Sequence, residues 1–248
     1  MGKKREWYEK FFDGLYGRVL SSQFERAKSL EQARVIKRLL GVRRGQRVLD
    51  VPCGQGRITL PLARMGLAMT GVDRTGAYVA KARMLAGRGR LKARFLQGDM
   101  RAIAFDREFD AVFNWFGSFG YFSDADNLRF CRRVLAALKP GGRFLVEGMN
   151  KSWVLVHFRP SIETRVGGVL ATQRNRLRPG DKRIRSIWTL RRGRRTERHI
   201  VSMRVFTGTE LRGFLRSAGF GEVRLHGPGG GRFTRHSQRL IAVASKPR

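Results

Sequence analysis

Four polar residues stand where short apolar runs end: Asp50 after Val48-Leu49, Asp73 after Gly71-Val72, Asp99 after Gly98, and Asn114 after Val112-Phe113. Three are carboxylates, which accept hydrogen bonds from hydroxyl and amino groups. Behind Asp50 comes Pro52-Cys53-Gly54-Gln55-Gly56-Arg57, and then Ile58, Leu60, Leu62 and Ala63 begin a helix. Glycine in such a turn admits positive φ and lets backbone N–H groups approach a ligand that a Cβ would block. A strand, a glycine turn and a helix N-terminus suit a nucleotide-like ligand. Gly98-Asp99-Met100 adds a carboxylate and a soft apolar side chain, a pair suited to an adenine amino group and its ring. Taken singly, each residue has a plainer role. Asp73 is then a helix N-cap, Asp99 caps a turn, and Cys53 is a small buried residue. A dinucleotide site is the competing ligand, since Gly54 and Gly56 give Gly-x-Gly and Asp73 stands at a ribose-binding distance, but Thr59 occupies the place of the third glycine.

The elements needed to position these residues follow from periodicity. Arg47–Val51, Ala68–Asp73, Leu91–Asp99, Phe109–Trp115 and Arg143–Glu147 read as strands. Gly76–Leu85 and Asp124–Leu138 read as helices, and Lys139-Pro140-Gly141-Gly142 as a turn. This alternation predicts a parallel sheet with helices on both faces, binding its ligand beyond the carboxyl ends of the strands. Residues 5–45 read as helical: Trp7, Tyr8, Phe11, Phe12, Leu15 and Tyr16 recur at spacings of three and four, and a second helix runs from Ser29 to Leu40 before Gly41. That aromatic stripe is core packing or a lid over the ligand. Val169–Arg178, Lys182–Arg191 and Arg195–Phe206 read as an antiparallel meander with an apolar and a basic face. A helix from Thr209 to Gly219, capped by Thr207 or Thr209, precedes strands Glu222–His226 and Arg239–Ser245; the glycine-rich loop at 227–231 is expected to be poorly ordered. Three parts result: an N-terminal helical lid at 1–45, a core at 46–150 and 207–248, and an inserted meander at 151–206.

Composition bounds the rest. With 248 residues and 42% hydrophobic content, the chain can bury the core of one large α/β domain. It has no apolar run of membrane-spanning length. The basic N-terminus lacks an apolar segment behind it and a Ser or Thr at position 6, so neither a secretion signal nor myristoylation is expected. Two cysteines, Cys53 and Cys131, suggest no disulfide framework and no metal site, which favours the cytoplasm. The net charge of +33 suits an anionic partner such as nucleic acid. Residues 151–206 hold 15 basic and three acidic residues, only mild enrichment, so a general bias toward arginine explains the charge slightly better than a dedicated nucleic-acid face.

Taken together, Val48–Arg57, Gly71-Val72-Asp73, Gly98-Asp99-Met100, Phe109–Asn114 and Leu138-Lys139-Pro140-Gly141-Gly142 resemble the class I S-adenosylmethionine-dependent methyltransferases, strongly over 45–148 and more loosely over 207–245. The resemblance implies a Rossmann-like, seven-stranded, mostly parallel sheet of order 3-2-1-4-5-7-6 and S-adenosylmethionine as cofactor, with S-adenosylhomocysteine as product. By position, Asp50 and the turn of Pro52, Cys53, Gly54, Gln55, Gly56 and Arg57 would hold the methionine part. Asp73, with Arg74 beside it, would bind the ribose; Asp99 and Met100 the adenine; Asn114, Trp115 and Phe116 would border the methyl group. Pro52 departs from the family's commonest pattern, which has glycine there; proline offers no N–H. The Pro-Cys-Gly-Gln-Gly-Arg form and Gly-Ser-Phe-Gly-Tyr-Phe at 117–122 are similar to a branch of mostly small-molecule enzymes.

Methyl transfer by in-line displacement needs alignment and water exclusion more than a strong base. The general-base candidates are Tyr8, Tyr121 and His199, with Tyr16 and His157 behind them. The expected substrate pocket comprises Tyr8, Phe12, Tyr16, Trp115, Ser118, Tyr121 and Asn150. The leading expectation is a small-molecule methyltransferase. An RNA methyltransferase using the basic surface is the alternative, although Asn114-Trp115-Phe116-Gly117 stands where base-amine methylases carry Asn/Asp-Pro-Pro-Tyr/Phe. A non-catalytic cofactor-binding protein is the third reading. The sequence names neither the acceptor atom nor the oligomeric state.

Overall fold

The computed structural model describes residues 6–12, 14–22 and 25–248; the basic segment at 1–5 and the first residues of the expected helical lid lie outside them. The chain opens with a single helical turn α1 (Tyr8–Phe11), then α2 (Leu15–Ser22) and α3 (Arg26–Leu40). The one long helix suggested by the aromatic stripe is thus broken, because tertiary partners replace helical ones. The Tyr78 hydroxyl donates to Phe12 O (2.8 Å), and the Leu15 N–H donates to the Glu197 carboxylate (2.9 Å). Gly41 closes α3 with φ +65°, a left-handed cap that glycine adopts without strain.

From residue 47 strands and helices alternate: β1 (Arg47–Asp50), α4 (Thr59–Arg64), β2 (Ala68–Asp73), α5 (Gly76–Arg88), β3 (Ala93–Gln97), β4 (Phe109–Asn114), α6 (Asp124–Ala137) and β5 (Leu138–Met149). The expected turn at 139–142 is part of β5. Its Gly141 (φ +74°) lies where the β4–β5 register shifts between Phe109 and Ala111, so the glycines bend the strand rather than end it. After α7 (Lys151–Val156) a four-stranded antiparallel sheet follows: β6 (Ser161–Val166), β7 (Val169–Arg176), β8 (Arg183–Arg192) and β9 (Arg195–Arg204). The meander therefore has one strand more than expected. Thr207 and Glu210 form a capping box on α8 (Gly208–Ser217). Strands β10 (Val223–His226) and β11 (Arg239–Ser245) end the chain.

The main sheet has the order β3-β2-β1-β4-β5-β11-β10, with every strand parallel except β11, which pairs antiparallel with both β5 and β10. This is the expected 3-2-1-4-5-7-6 arrangement. Its interior strands are almost wholly apolar and buried, with Val48, Leu49, Val112, Phe113, Phe144 and Leu145 at or near zero exposure. The loop at 227–231 is tied by hydrogen bonds. It closes on itself through Gly227 N–H to Gly231 O (2.9 Å), and Arg38 donates to Gly229 O (2.7 Å). Among the described residues no helix is long and apolar enough to cross a membrane.

Candidate functional site

A cavity of about 1130 Å³ opens beyond the carboxyl ends of β1, β2, β3 and β4. The glycine turn forms its floor. The Cys53 N–H donates to Val72 O (2.9 Å) and the Gly56 N–H to Cys53 O (3.0 Å), which fixes the turn against β2. Gly54 has φ +55°, and a Cβ there would meet no atom within 4 Å, so it would project into open space above the turn. Gly71 lies beneath: a Cβ there would stand 2.8 Å from Cys53 Sγ and 2.6 Å from the Phe95 ring. Pro52 lines the cavity and is joined to Val51 by a cis peptide.

Asp50, only 3% exposed, accepts the Thr59 hydroxyl (2.5 Å). Burial pushes the Asp50 carboxyl up to about 8, against the opposing pull of Thr59 and Arg57. Thr59, the residue in place of a third glycine, is thus the direct partner of the first strand-end acid. Nothing in the sequence marks this contact, because a nine-residue separation carries no signal of it. Arg57 donates to Gln32 (2.5 Å) and lies over the Phe116 ring at 5.4 Å; burial lowers its pKa to about 10. One face of Phe116 is therefore covered by a guanidinium. Phe116 itself has φ +71°, uncommon for a bulky residue. Its N–H donates to the buried Glu147 carboxylate (2.8 Å), which also pairs with Arg239.

Asp73 binds the floor together. Its two carboxylate oxygens accept the Gly54 N–H (2.8 Å) and the Thr75 N–H (2.9 Å), so it serves the glycine turn and the start of α5 at once. Asp99 likewise caps a turn, accepting the Arg101 N–H (2.9 Å), and pairs with the Arg101 guanidinium at 2.6 Å. Although burial raises it, those Arg101 bonds and charges hold the Asp99 carboxyl below its ordinary range. Arg101 in turn stacks on Phe122 at 4.5 Å, and Arg74 lies 5.6 Å from the Tyr8 ring. Both acids therefore cap backbone N–H groups while lining the cavity.

Of the expected residues, Asp50, Pro52 to Arg57, Asp73, Arg74, Asp99, Met100, Trp115 and Phe116 line the cavity; so do Tyr8, Phe12, Tyr16, Ser118 and Tyr121. Asn114 does not. It is fully buried behind the floor, its amide donating to Val51 O (2.8 Å), because its β4 position faces the layer below. Asn150 is spent as the cap of α7: it accepts the Ser152 N–H (3.2 Å) and donates to Arg235 O and Ser237 O. His199 sits outside the lining, against Glu197 (3.4 Å) and edge-on to Phe11. His157 stacks on Trp153, exposed at the end of α7. Burial raises the phenols of Tyr8 and Tyr16 to about 12 and that of Tyr121 further, which makes each a poor base at neutral pH.

The wall opposite the floor is built by α1, α2 and the second sheet. Ile184, Ser186, Trp188, Val201 and Met203 turn one sheet face inward. Period-two alternation sends Arg174, Arg176, Arg185, Arg191 and Arg198 to the other face, where all are exposed. Arg183 fastens this sheet to the core. It donates to Phe122 O (2.7 Å), Tyr121 O (3.1 Å) and Gly120 O (3.2 Å), and to Ser202 O (2.8 Å) on β9. Neither Arg183 nor the inward polar pair Gln173 and Ser186 carries a motif that marks it in the sequence.

Residues 48–142 match the family model described as Methyltransferase domain. The ubiquinone/menaquinone biosynthesis C-methyltransferase UbiE of Azotobacter vinelandii is 37% identical over 125 residues, 46% of each chain, so the match spans about half the length of that relative. An S-adenosylmethionine-dependent methyltransferase of Clostridium acetobutylicum superposes with a TM-score of 0.77 at 16% identity, covering 97% of this chain and 99% of that one. The sugar N-methyltransferase KedS8 of Streptoalloteichus gives 0.67 at 21% identity, covering 100% and 96%. At these identities the two structures share the fold, the second sheet's share of the chain included.

Proposed function

From the match of residues 48–142 to the methyltransferase-domain model, we propose that the chain is an S-adenosylmethionine-dependent methyltransferase that transfers the methyl group to a small molecule. The residues present fit the cofactor: the space above Gly54 is open, carboxylates stand at three successive strand ends, and Met100 supplies an apolar surface beside Asp99. Asp50 and the 52–57 turn would take the methionine part, Asp73 the ribose, and Asp99 with Met100 the adenine. Asp99 would share its carboxylate with Arg101, and Asp73 would add ribose hydroxyls to two backbone donors, within the capacity of a carboxylate.

When bound, S-adenosylmethionine supplies a methyl carbon already activated on a cationic sulfur. The protein's own work is then to align the acceptor in line and exclude water. The helices α1 and α2 and the inner face of the second sheet serve as the lid that does this. The tyrosines lining the cavity orient the acceptor rather than deprotonate it, since burial holds their protons.

A single observation carries the small-molecule reading: the second sheet turns its apolar face to the cavity and its arginines away. An RNA methyltransferase using that sheet would need its cations beside the reacting atoms. The test is a methyl-release screen over small ring compounds and bulk RNA. Turnover on members of the small-molecule set, with RNA at background, is expected; turnover on RNA alone would overturn the reading.

A further inference from the structure

The second sheet has an outer face as well as the inner one. Opposite in pleat to the side chains that line the cavity stand Arg165 on β6, Arg174 and Arg176 on β7, Arg185 and Arg191 on β8, and Arg198 on β9, all exposed. Among the described residues, Glu163 is the one acid at these outer positions, and none of the six arginines forms an ion pair, whereas nearby Arg195 is paired with Glu197 at 2.6 Å. Arg176 lies directly opposite Arg185, a like-charge pair that costs stability unless an anion lies between them. The same face has an apolar centre. Ile187 and Ile200 are cross-strand partners, and Ile200 keeps 68% of its surface exposed. Arg174 stands beside Ile187 across the ladder, Arg185 precedes Ile187 by two residues, and Arg198 precedes Ile200 by two. At strand spacings these three side chains start within about 7 Å of the isoleucine pair.

We propose that this face docks on an anionic lipid surface, with Ile187 and Ile200 entering the headgroup region and the arginines pairing with lipid phosphates around them. One partner must meet both features. Arginines without acidic partners call for anions. An exposed isoleucine pair among those cations calls for hydrocarbon. Arginine suits the boundary between the two, because its apolar stem lies along hydrocarbon while the guanidinium stays with the phosphates. A nucleic acid would meet the charge but would leave the isoleucines against sugars and phosphates, and the outer positions carry no aromatic ring on which bases could stack. A general excess of arginine would place cations on every surface, but it would not set an exposed isoleucine pair in their midst. The inner face of the same sheet lines the cavity, so docking leaves the cofactor floor untouched.

The test is co-sedimentation of the full chain with phosphatidylcholine vesicles, with and without phosphatidylglycerol, the fold of each variant being checked by circular dichroism. Binding is expected on the phosphatidylglycerol vesicles, falling as salt is raised, with phosphatidylcholine alone at background. Each arginine near an anionic surface contributes about fivefold, so Arg174→Gln, Arg185→Gln and Arg198→Gln in one chain should weaken binding at least about tenfold. Arg88, Arg132 and Arg133 are exposed on α5 and α6, outside the second sheet. Replacing those three with Gln removes the same charge and should change binding less than about threefold. Ile200→Ser should weaken it about fivefold through lost apolar burial. No binding to phosphatidylglycerol vesicles, equal losses from the two triple variants, or an unchanged affinity in Ile200→Ser would overturn the proposal. Bulk RNA bound through Arg174, Arg185 and Arg198 but indifferent to Ile200→Ser, with vesicles at background, would give the face to a nucleic acid instead.

Discussion

Replacing Arg183 with methionine measures how firmly the second sheet is held over the site. The guanidinium makes five contacts, to Phe122 O (2.7 Å), Tyr121 O (3.1 Å), Gly120 O (3.2 Å), Ser202 O (2.8 Å) and, from Nε, Ser202 Oγ (2.9 Å). Nη2 has two hydrogens for three of these carbonyls, so the array amounts to about four bonds. A hydrogen bond to a charged group contributes roughly 1.5–3 kcal/mol. Burial works against this sum, and it also depresses the arginine's pKa. The half-buried residue should therefore contribute roughly 2–4 kcal/mol net. In a chain of this size 1 kcal/mol moves Tm by about 2–4 °C, so Arg183→Met should lower it by about 5–15 °C. Arg183→Lys should recover less than half, because one ammonium cannot span three carbonyls. Thermal unfolding followed by circular dichroism reads both. A Tm within about 1 °C of wild type, or full recovery by lysine, would refute this account of docking.

Gly71→Ala would drive a Cβ into Cys53 and Phe95 and should cost roughly 1–3 kcal/mol, part of it regained with Cys53→Ala in the same chain; urea unfolding of the three variants checks this, and a neutral Gly71→Ala contradicts it. The Asp50 carboxyl, raised by burial to about 8, binds its proton more tightly folded than unfolded. The stability this confers is complete below about pH 4 and is lost as pH rises toward 8, with a slope of up to about 1.4 kcal/mol per pH unit. Asp50→Asn should flatten that decline in chemical unfolding between these limits; an unchanged slope would assign the decline to another group. The buried Tyr8 hydroxyl has no hydrogen-bond partner among the described residues, so Tyr8→Phe should raise equilibrium stability by about 1 kcal/mol, and a loss would mean that the hydroxyl is satisfied in solution.

The floor of the site was legible in the sequence because it is local. A strand, two glycines and a helix start lie within a dozen residues, and Asp73 and Asp99 mark strand ends by the same rule of apolar runs. The sheet order came from the family resemblance and holds in the structure. What escaped was long-range. Strand β6 (Ser161–Val166) is a mostly exposed edge with little apolar alternation, so no periodicity announces it. Thr59 reaches Asp50, Arg183 reaches three carbonyls about 60 residues away, and Gln173 meets Ser186 across a β-ladder. Asn114 shares the strand-end position of the acids, yet its side chain faces the buried layer, a distinction that depends on one residue of pleat. The aromatic stripe of the N-terminus signalled a helix, whereas its break at Gly14 depends on Glu197, which is distant in sequence.

The strand-edge half of the cavity is proposed to hold S-adenosylmethionine. Calorimetric titration of the purified chain with S-adenosylhomocysteine decides this, with Asp73→Asn as the paired variant and its folding checked by circular dichroism. Saturable binding at one site per chain, weakened at least about tenfold in Asp73→Asn by loss of a charge-assisted acceptor, is the predicted result. No binding to the folded wild type, or equal affinity in the two proteins, would contradict it.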